Sequence, residues 1–194
     1  AYRATTTAKG AVLMEAGSRR VLFSHNPDAK MPMASCTKIM TALVAIESGE
    51  LDKTVEVRPE ACGVEGSSVY LRPKEKLTLK ELLYGLMLQS GNDCAVAIAY
   101  ELAGGVENFA DMMNSRAKEL GANNTNFVTP NGLHDDNHYT TAYDLGLIAC
   151  QALSNDTFRE IVGTKSVKIS NEGFDYPRVI TNKNKLLGRL DGAD

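Results

Sequence analysis

Apolar residues recur at helical spacing through the middle of the chain, and apolar and polar residues alternate in the segments on either side. The clearest helix covers 79–89, where Thr78 and Glu81 have the spacing of a capping box. Other helices are predicted from about Ser35 to near Gly49, over 93–103, over 106–120, and from Thr141 to about Leu153. The middle of the chain is therefore predicted to be almost entirely helical.

Strand patterns frame this helical region. Residues 11–15 and 20–24, joined by a turn over 16–19, have the alternation of a β-hairpin. A short strand is predicted over 54–57, the segment 61–73 is typical of a loop, and the alternation returns after Thr164. We predict an α/β chain of the α+β type, in which a helical region over about 75–155 is inserted into a strand-framed domain.

Composition limits the function classes without selecting one. The 194 residues suit one domain with an inserted sub-domain, and 43% apolar residues are enough for a core. The net charge of −3, with both signs interspersed, does not suggest a nucleic-acid partner. No apolar run approaches the roughly 18 residues of a membrane span, and residues 1–7 are typical of a mature, processed N-terminus.

The first candidate for chemistry is Ser35-Cys36-Thr37-Lys38, which opens an apolar run. On a helix, Ser35 and Lys38 lie on one face, so the lysine amine can reach the serine hydroxyl. A lysine with a lowered pKa can take the proton of a serine nucleophile, and the positive N-terminal end of a helix lowers that pKa. The neighbouring Cys36 is about 200° around the helix from Lys38, which argues against it as the nucleophile.

A second candidate lies about 50 residues further on. Ser90-Gly91-Asn92 falls at the break between two predicted helices, where it would present a hydroxyl beside a carboxamide. Ser, Gly and Asn are also common linker residues, so the triplet alone is not specific. Its value lies in its order after the Ser-x-x-Lys tetrad.

That order resembles the penicillin-recognising serine enzymes, with S-x-x-K, S-x-N and K-T-G in sequence. Four segments, 32–41, 86–93, 127–134 and 181–187, resemble one family within this group, the serine D-alanyl-D-alanine carboxypeptidases or low-molecular-mass penicillin-binding proteins. The resemblance runs from about Lys9 to the last residue. It implies a penicillin-binding-protein/β-lactamase-like transpeptidase fold, an antiparallel sheet with helices plus an all-α sub-domain.

The resemblance also implies a mechanism and its partners. Ser35 would form the acyl ester, Lys38 would act as general base, Ser90 would relay a proton, and Asn92 would orient Lys38 and the substrate. The substrate would be a peptidoglycan stem peptide ending in D-Ala-D-Ala, and β-lactam antibiotics would acylate Ser35. No cofactor, metal or nucleic acid is implied, and the protein would act outside the cytoplasmic membrane.

The chain departs from the family pattern at one point. No Lys-Thr-Gly occurs in it, and in the family that motif lies on a strand a few residues after a segment like 190–194. We expect the 194 residues to be the N-terminal part of one catalytic domain, truncated before the K-T-G strand. Since missing strands leave edges and apolar faces uncovered, we expect a complementary chain or segment carrying K-T-G. Without it we expect this part to be inactive.

Two alternative functions stay open. A class A-like β-lactamase would carry S-D-N and a deacylating glutamate on a later loop. Here Gly91 takes the middle position, and no glutamate occurs between Glu119 and Glu160. A catalytically inactive cell-wall-binding or regulatory module of the same fold is the other alternative, supported only by the absent K-T-G.

The remaining reactive residues favour structural roles. The four cysteines, Cys36, Cys62, Cys94 and Cys150, lack metal-ligand spacing, and we expect free thiols rather than disulfides. A cluster of possible metal ligands follows a turn-like segment and is expected to be a solvated loop; its members are His134, Asp135, Asp136 and His138. Lys183 and Lys185 share one face of a strand and are expected to be surface charges, with a polar groove as the alternative.

Overall fold

A computed structural model of the chain describes residues 5–169 and 177–190. Its strands are β1 (Ala11–Met14), β2 (Val21–His25), β3 (Thr54–Glu56), β4 (Lys76–Thr78), β5 (Ser166–Ile169) and β6 (Arg178–Thr181). Its helices are α1 (Thr37–Glu47), α2 (Leu79–Gln89), α3 (Asn92–Ala103), α4 (Val106–Glu119), α5 (Ala142–Leu153) and α6 (Asp156–Gly163). Short 3₁₀ turns cover Ala34–Cys36 and Pro59–Ala61.

Helix α1 lies at the centre of the helical layer. Nine of its eleven residues are buried, and it packs against each of the other five helices. A helix that is apolar around most of its circumference is stable only when neighbours surround it. The sequence of α1 therefore places its first turn, with Lys38, at a junction of several elements.

The strands form three separate antiparallel pairs in the part of the chain described. β1 pairs with β2, with Ala11 opposite His25, and β5 pairs with β6, with Ser166 opposite Thr181. β3 and β4 pair across the 3₁₀ turn and the loop that follows it. β1 packs on α5 and β6 packs on α2, so the outer pairs lie against the helical layer.

Most predicted elements are present. The hairpin, the five predicted helices and the strand near 54–57 are confirmed, as are the loop-like segment before β4 and the α/β class. The pattern missed α6 and the pairing of β4 with β3. β3 and β4 have three residues each and α6 has eight, which is too short for a clear periodicity. The predicted helical region of 75–155 begins with a strand, β4, rather than a helix.

Two further expectations concern single features. All four cysteines are free thiols, with Cys36 exposed and Cys94 and Cys150 buried, as predicted. Of the helices in the described ranges, none has the length and apolar character to cross a membrane. Residues 1–4 of the predicted mature N-terminus, and residues 191–194 of the segment that precedes K-T-G in the family, lie outside the described residues.

The predicted capping box at the start of α2 is present. The Thr78 hydroxyl accepts the Glu81 N–H at 3.1 Å, and the Glu81 carboxylate accepts the Thr78 N–H at 2.8 Å. Thr78→Ala leaves an N–H group of the first turn without its partner, so we expect the free energy of unfolding to fall by about 1 kcal/mol. Urea denaturation measures this value, and Thr7→Ala, in an exposed non-helical segment, is the matched control. Equal effects of the two substitutions would contradict the capping role.

Candidate active site

Ser35 and Lys38 are adjacent at the start of α1. Ser35 lies in the 3₁₀ turn and is exposed, whereas Lys38 lies in the first turn of α1 and is only 2% exposed. The Lys38 Nζ donates a hydrogen bond to the Ser35 Oγ over 3.1 Å. In a 3₁₀ turn positions i and i+3 are eclipsed, so the predicted proximity holds although Ser35 precedes the α-helix proper.

Three oxygen atoms hold the Lys38 ammonium, two of them from distant parts of the chain. Besides the Ser35 Oγ, these are the Asn92 Oδ1 and the Asn131 carbonyl oxygen, each 2.7 Å from Nζ. Burial lowers the pKa of Lys38 from 10.5 to about 8, and the positive charge of Lys183 contributes to the lowering. A substantial fraction of Lys38 is therefore neutral near pH 8, as a general base requires.

Ser90-Gly91-Asn92 forms the tight break between α2 and α3. Ser90 adopts a left-handed conformation with φ of 60°, and Asn92 is the first residue of α3. The Asn92 Nδ2 donates to the Glu65 carbonyl at 2.6 Å, which directs its Oδ1 toward Lys38. The structure thus brings Asn92 together with Ser35 and Lys38. Ser90, two residues before Asn92 in sequence, is half-buried, and within the described ranges its hydroxyl forms no hydrogen bond.

Asp93 supports this break, and the sequence analysis did not identify it. Its fully buried carboxylate accepts hydrogen bonds from the Ser68 hydroxyl at 2.6 Å and from the Val69 and Leu71 N–H groups at 3.1 and 3.0 Å. These bonds fix the loop before β4 against the first turn of α3. An acidic residue at a helix start is common for electrostatic reasons alone, so the sequence carried no specific signal for this role.

The segment 127–138, called here the buttress segment, packs along the first two turns of α1. The Thr41 hydroxyl donates to the Pro130 carbonyl at 2.6 Å, and Lys38 donates to the next carbonyl, that of Asn131. Gly132 has φ of 84°, and a Cβ there would lie 1.9 Å from the Ala34 carbonyl oxygen. Only glycine permits this close approach to the turn that carries Ser35. The sequence matched 127–134 to the family but predicted no role for it.

His138, within the buttress segment, corrects one prediction. The solvated-loop expectation holds for His134 and Asp136, whose side chains are 76% and 98% exposed, but it is wrong for His138, which is 3% exposed. The His138 Nε2 lies 2.7 Å from the Thr37 Oγ1. The Phe127 ring packs edge-on against the His138 ring. In the two described ranges no group of three or more His, Cys, Asp or Glu side chains could hold a metal ion.

Lys183 lies beside the end of α2 rather than free in solvent. Its ammonium donates to the Gln89 carbonyl at 2.9 Å, one residue before Ser90, although the residue as a whole is exposed. Lys185 is exposed as well. The expectation of surface charges therefore describes Lys185, while Lys183 adds a positive charge close to the site.

The sequence of the chain is similar to that of one known protein family. The sequence profile of the D-alanyl-D-alanine carboxypeptidase family, Peptidase S11, matches residues 1–193. The chain is 37% identical over 192 residues to the D-alanyl-D-alanine carboxypeptidase DacF of Bacillus subtilis, covering 96% of this chain and 49% of that protein. DacC of Escherichia coli is 36% identical over 191 residues, covering 93% and 46%. The chain spans about half the length of these two relatives.

Solved structures agree with the sequence matches. A D-alanyl-D-alanine carboxypeptidase from Mycobacterium tuberculosis superposes with a TM-score of 0.90 at 32% identity, over 96% of this chain and 70% of that one. A mutant of the Streptomyces K15 DD-transpeptidase superposes with a TM-score of 0.90 at 33% identity, over 98% and 80%. The predicted penicillin-binding-protein fold is confirmed by these similarities.

The lowered pKa of Lys38 can be measured directly. We expect NMR titration of the lysine side chains to show Lys38 losing its proton near pH 8, against an ordinary pKa of 10.5. Lys183→Gln removes a nearby positive charge and should raise the pKa of Lys38, whereas Lys185→Gln, two residues further on, is the matched control.

The lowered pKa of Lys38 also makes the free energy of unfolding depend on pH. Between about pH 8 and 10.5 the unfolded chain binds the Lys38 proton and the folded chain does not. The free energy of unfolding therefore gains a contribution that rises with pH in this window. A Lys38 titration near 10.5, or no difference between the Lys183 and Lys185 substitutions, would contradict this account.

Proposed function

Because the chain belongs to the D-alanyl-D-alanine carboxypeptidase family, we propose that the whole protein is a serine peptidase that removes the terminal D-alanine from peptidoglycan stem peptides. The observation that carries the proposal is the buried Lys38 ammonium, 3.1 Å from the exposed Ser35 hydroxyl and with a pKa lowered to about 8. A serine with a deprotonatable lysine in hydrogen-bond contact is an activated nucleophile. The exposed position of Ser35 leaves it open to substrate.

Acylation follows from this geometry. Neutral Lys38 accepts the Ser35 proton as the Ser35 Oγ attacks the carbonyl carbon of the bond between the last two D-alanines. The carbonyl oxygen becomes an oxyanion, which two backbone N–H groups would stabilise, that of Ser35 and one on a K-T-G strand. The C–N bond then breaks, and Ser35 is left as an ester.

Ser90 and Asn92 have the supporting roles in this proposal. Ser90 relays a proton to the departing D-alanine nitrogen. Asn92 orients Lys38 through its Oδ1, 2.7 Å from Nζ, and would also meet the amide of the substrate. Water then hydrolyses the Ser35 ester and regenerates the free enzyme. β-Lactams carry an amide of similar geometry and would acylate Ser35 in the same way.

We further propose that a segment carrying Lys-Thr-Gly completes this site. The motif is absent from the 194 residues, which would be the N-terminal part of one catalytic domain. Apolar side chains on the two outer strand pairs, β1–β2 and β5–β6, are exposed. Among them are Leu13, Leu22 and Val179, at 53–55% exposure. Such an apolar surface on a two-stranded pair suits coverage by further strands. The strand that carries Lys-Thr-Gly would add the missing oxyanion donor and bind the carboxylate of the substrate.

The place of action is part of the proposal. D-Alanyl-D-alanine stem peptides belong to the bacterial cell wall, so the protein would act outside the cytoplasmic membrane, either secreted or attached to its outer face. No cofactor takes part in the proposed steps, since Ser35 and Lys38 supply both the nucleophile and the base.

The other candidate functions differ in their predicted chemistry. A class A-like β-lactamase would hydrolyse its acyl ester rapidly with a glutamate, and the residues between Glu119 and Glu160 include none. An inactive cell-wall-binding module would form no ester. The three bonds of Lys38 are the arrangement that an active enzyme needs and that a binding module does not.

Covalent labelling tests the proposed function. The polypeptide that contains these residues together with a Lys-Thr-Gly segment is incubated with a fluorescent penicillin and examined by denaturing gel and mass spectrometry. We expect one stable adduct, which is lost in Ser35→Ala because the nucleophile is gone. Cys36→Ser is the matched control, because it changes the adjacent exposed thiol and leaves Ser35 in place.

Two results would overturn the proposal. Absence of an adduct in the completed protein would favour the inactive module, and an adduct that turns over within seconds would favour a β-lactamase. Release of D-alanine from a synthetic stem peptide then measures the carboxypeptidase activity itself. The 194 residues alone are expected to label much more slowly, because one oxyanion donor is missing.

The pH dependence of acylation tests the role of Lys38. Since only the neutral amine accepts a proton, we expect the acylation rate constant to rise with pH and to reach half its plateau near pH 8. Lys38→Arg keeps the positive charge but cannot act as a base near neutral pH, so acylation on the plateau above pH 8 should fall by roughly 100-fold or more. A rate that does not change between pH 6 and 9 would argue against Lys38 as the base.

A further inference from the structure

His138 is a buried titratable residue that the proposed reaction does not use. It is 3% exposed and lies at the end of the buttress segment, seven residues after Asn131, whose carbonyl accepts the Lys38 hydrogen bond. Both of its ring nitrogens have partners: Nε2 is 2.7 Å from the Thr37 Oγ1, and Nδ1 is 2.9 Å from the Val128 nitrogen. The ring therefore links the first residue of α1 to the start of the buttress segment.

These partners determine the protonation state of the ring. The Val128 nitrogen is a backbone N–H and can only donate, so the His138 Nδ1 must accept and carries no proton. In the neutral ring the proton is then on Nε2, which donates to the Thr37 Oγ1. A doubly protonated ring would place an N–H against the Val128 N–H, and that hydrogen bond would be lost.

The contacts of the buttress segment explain why this matters for the site. It contacts α1 and the 3₁₀ turn before it through three backbone groups. The Pro130 and Asn131 carbonyls meet the Thr41 hydroxyl and the Lys38 ammonium, and Gly132 lies against the Ala34 carbonyl. No side chain is charged at these contacts except Lys38. The hydrogen bond between His138 and Thr37 adds a fourth contact, and this contact depends on the protonation state of the His138 ring.

We propose that His138 is a positioning residue: in its neutral form, with the proton on Nε2, it fixes the buttress segment on α1 and so keeps the Asn131 carbonyl on Lys38. The proposal deepens the proposed function and rests on it for its consequence in catalysis. Protonation of His138 would release the Val128 N–H and loosen the segment, and acylation would slow independently of the proton that Lys38 itself gains.

Burial and the neighbouring charges together set the pKa of the His138 ring. His138 shares a cavity of about 210 Å³ with Lys30, His134, Asp135 and Asp136. Burial lowers the pKa of His138, while the charge of Asp135 partly opposes the lowering. On α1, the charged residue Lys38 follows Thr37, the partner of the ring, in sequence. The pKa of His138 therefore lies below the ordinary histidine value of 6.5.

The protonation state can be tested without any activity. Nitrogen-15 NMR of the histidine rings, in the same completed polypeptide, distinguishes the two neutral tautomers. We expect His138 to be the Nε2–H tautomer at pH 8 and to keep it to below pH 6.5. The Val128 amide should exchange with solvent faster once His138 is protonated. An Nδ1–H tautomer, or a ring that is charged at pH 8, would overturn the proposal even if acylation is never observed.

Acylation by a fluorescent penicillin tests the consequence. On a logarithmic plot of rate against pH, we expect a slope of about 1 below the Lys38 pKa and about 2 below that of His138. His138→Gln replaces the ring with an acceptor and a donor that do not titrate. This variant should retain most of the rate at pH 8 and keep a slope of about 1 down to pH 5.

Two further variants separate positioning from general stability. His138→Leu removes both hydrogen bonds and should slow acylation at pH 8 by roughly tenfold or more, because small displacements at a catalytic site are costly. His134→Gln, in the same segment but exposed, is the matched control and should change neither rate nor slope. If His138→Gln keeps the steep slope, or if His138→Leu acylates as fast as the unmodified protein while both remain folded, the positioning role is excluded. If the unmodified protein fails to acylate, the proposed function fails, and the NMR result alone decides on His138.

Discussion

The buried ammonium of Lys38 is the constraint on which the rest of the site depends. A charge that is removed from water is strongly destabilising unless polar atoms replace the lost hydration. Here three oxygens do so, and they come from the turn before α1, from the start of α3 and from the buttress segment. Each of those elements must be positioned to within hydrogen-bond distance for the lysine to be tolerated. The same burial lowers its pKa to about 8, so the destabilising feature is also the one that the proposed reaction requires.

The central position of α1 makes this convergence possible. Because its apolar residues are buried on nearly all sides, the other helices pack around it. The break between α2 and α3 brings Asn92 to its first turn. The break between α2 and α3 is held there by the buried Asp93 carboxylate, which also fixes the loop before β4. The polar site is therefore supported by the apolar core. Loss of core packing around α1 would be expected to disturb the site before it unfolds the chain.

Two of the six non-glycine residues with a positive φ in the described ranges lie at the site. Ala34, directly before Ser35, has a positive φ of 46°, and Ser90 at the other break has 60°. Residues other than glycine occupy this region at a cost of about 1–3 kcal/mol and keep it only where surrounding contacts enforce it. At Ala34 the enforcing contact is the close approach of Gly132. The turn that carries Ser35 is thus held in a fixed orientation, which would suit the proposed reaction because that reaction requires alignment.

The sequence by itself determined the long elements and the reactive pair. Helical periodicity specified α1 to α5, and the i, i+3 spacing of Ser35 and Lys38 ensured their proximity on any right-handed helix, because both signals are local. The order of Ser35, Lys38, Ser90 and Asn92 indicated the family. Only the tertiary structure decided that Asn131 accepts from Lys38, that Asp93 anchors a loop and that His138 is buried. Those contacts join residues 22 to 101 positions apart, and no local pattern encodes which distant atom a side chain will meet.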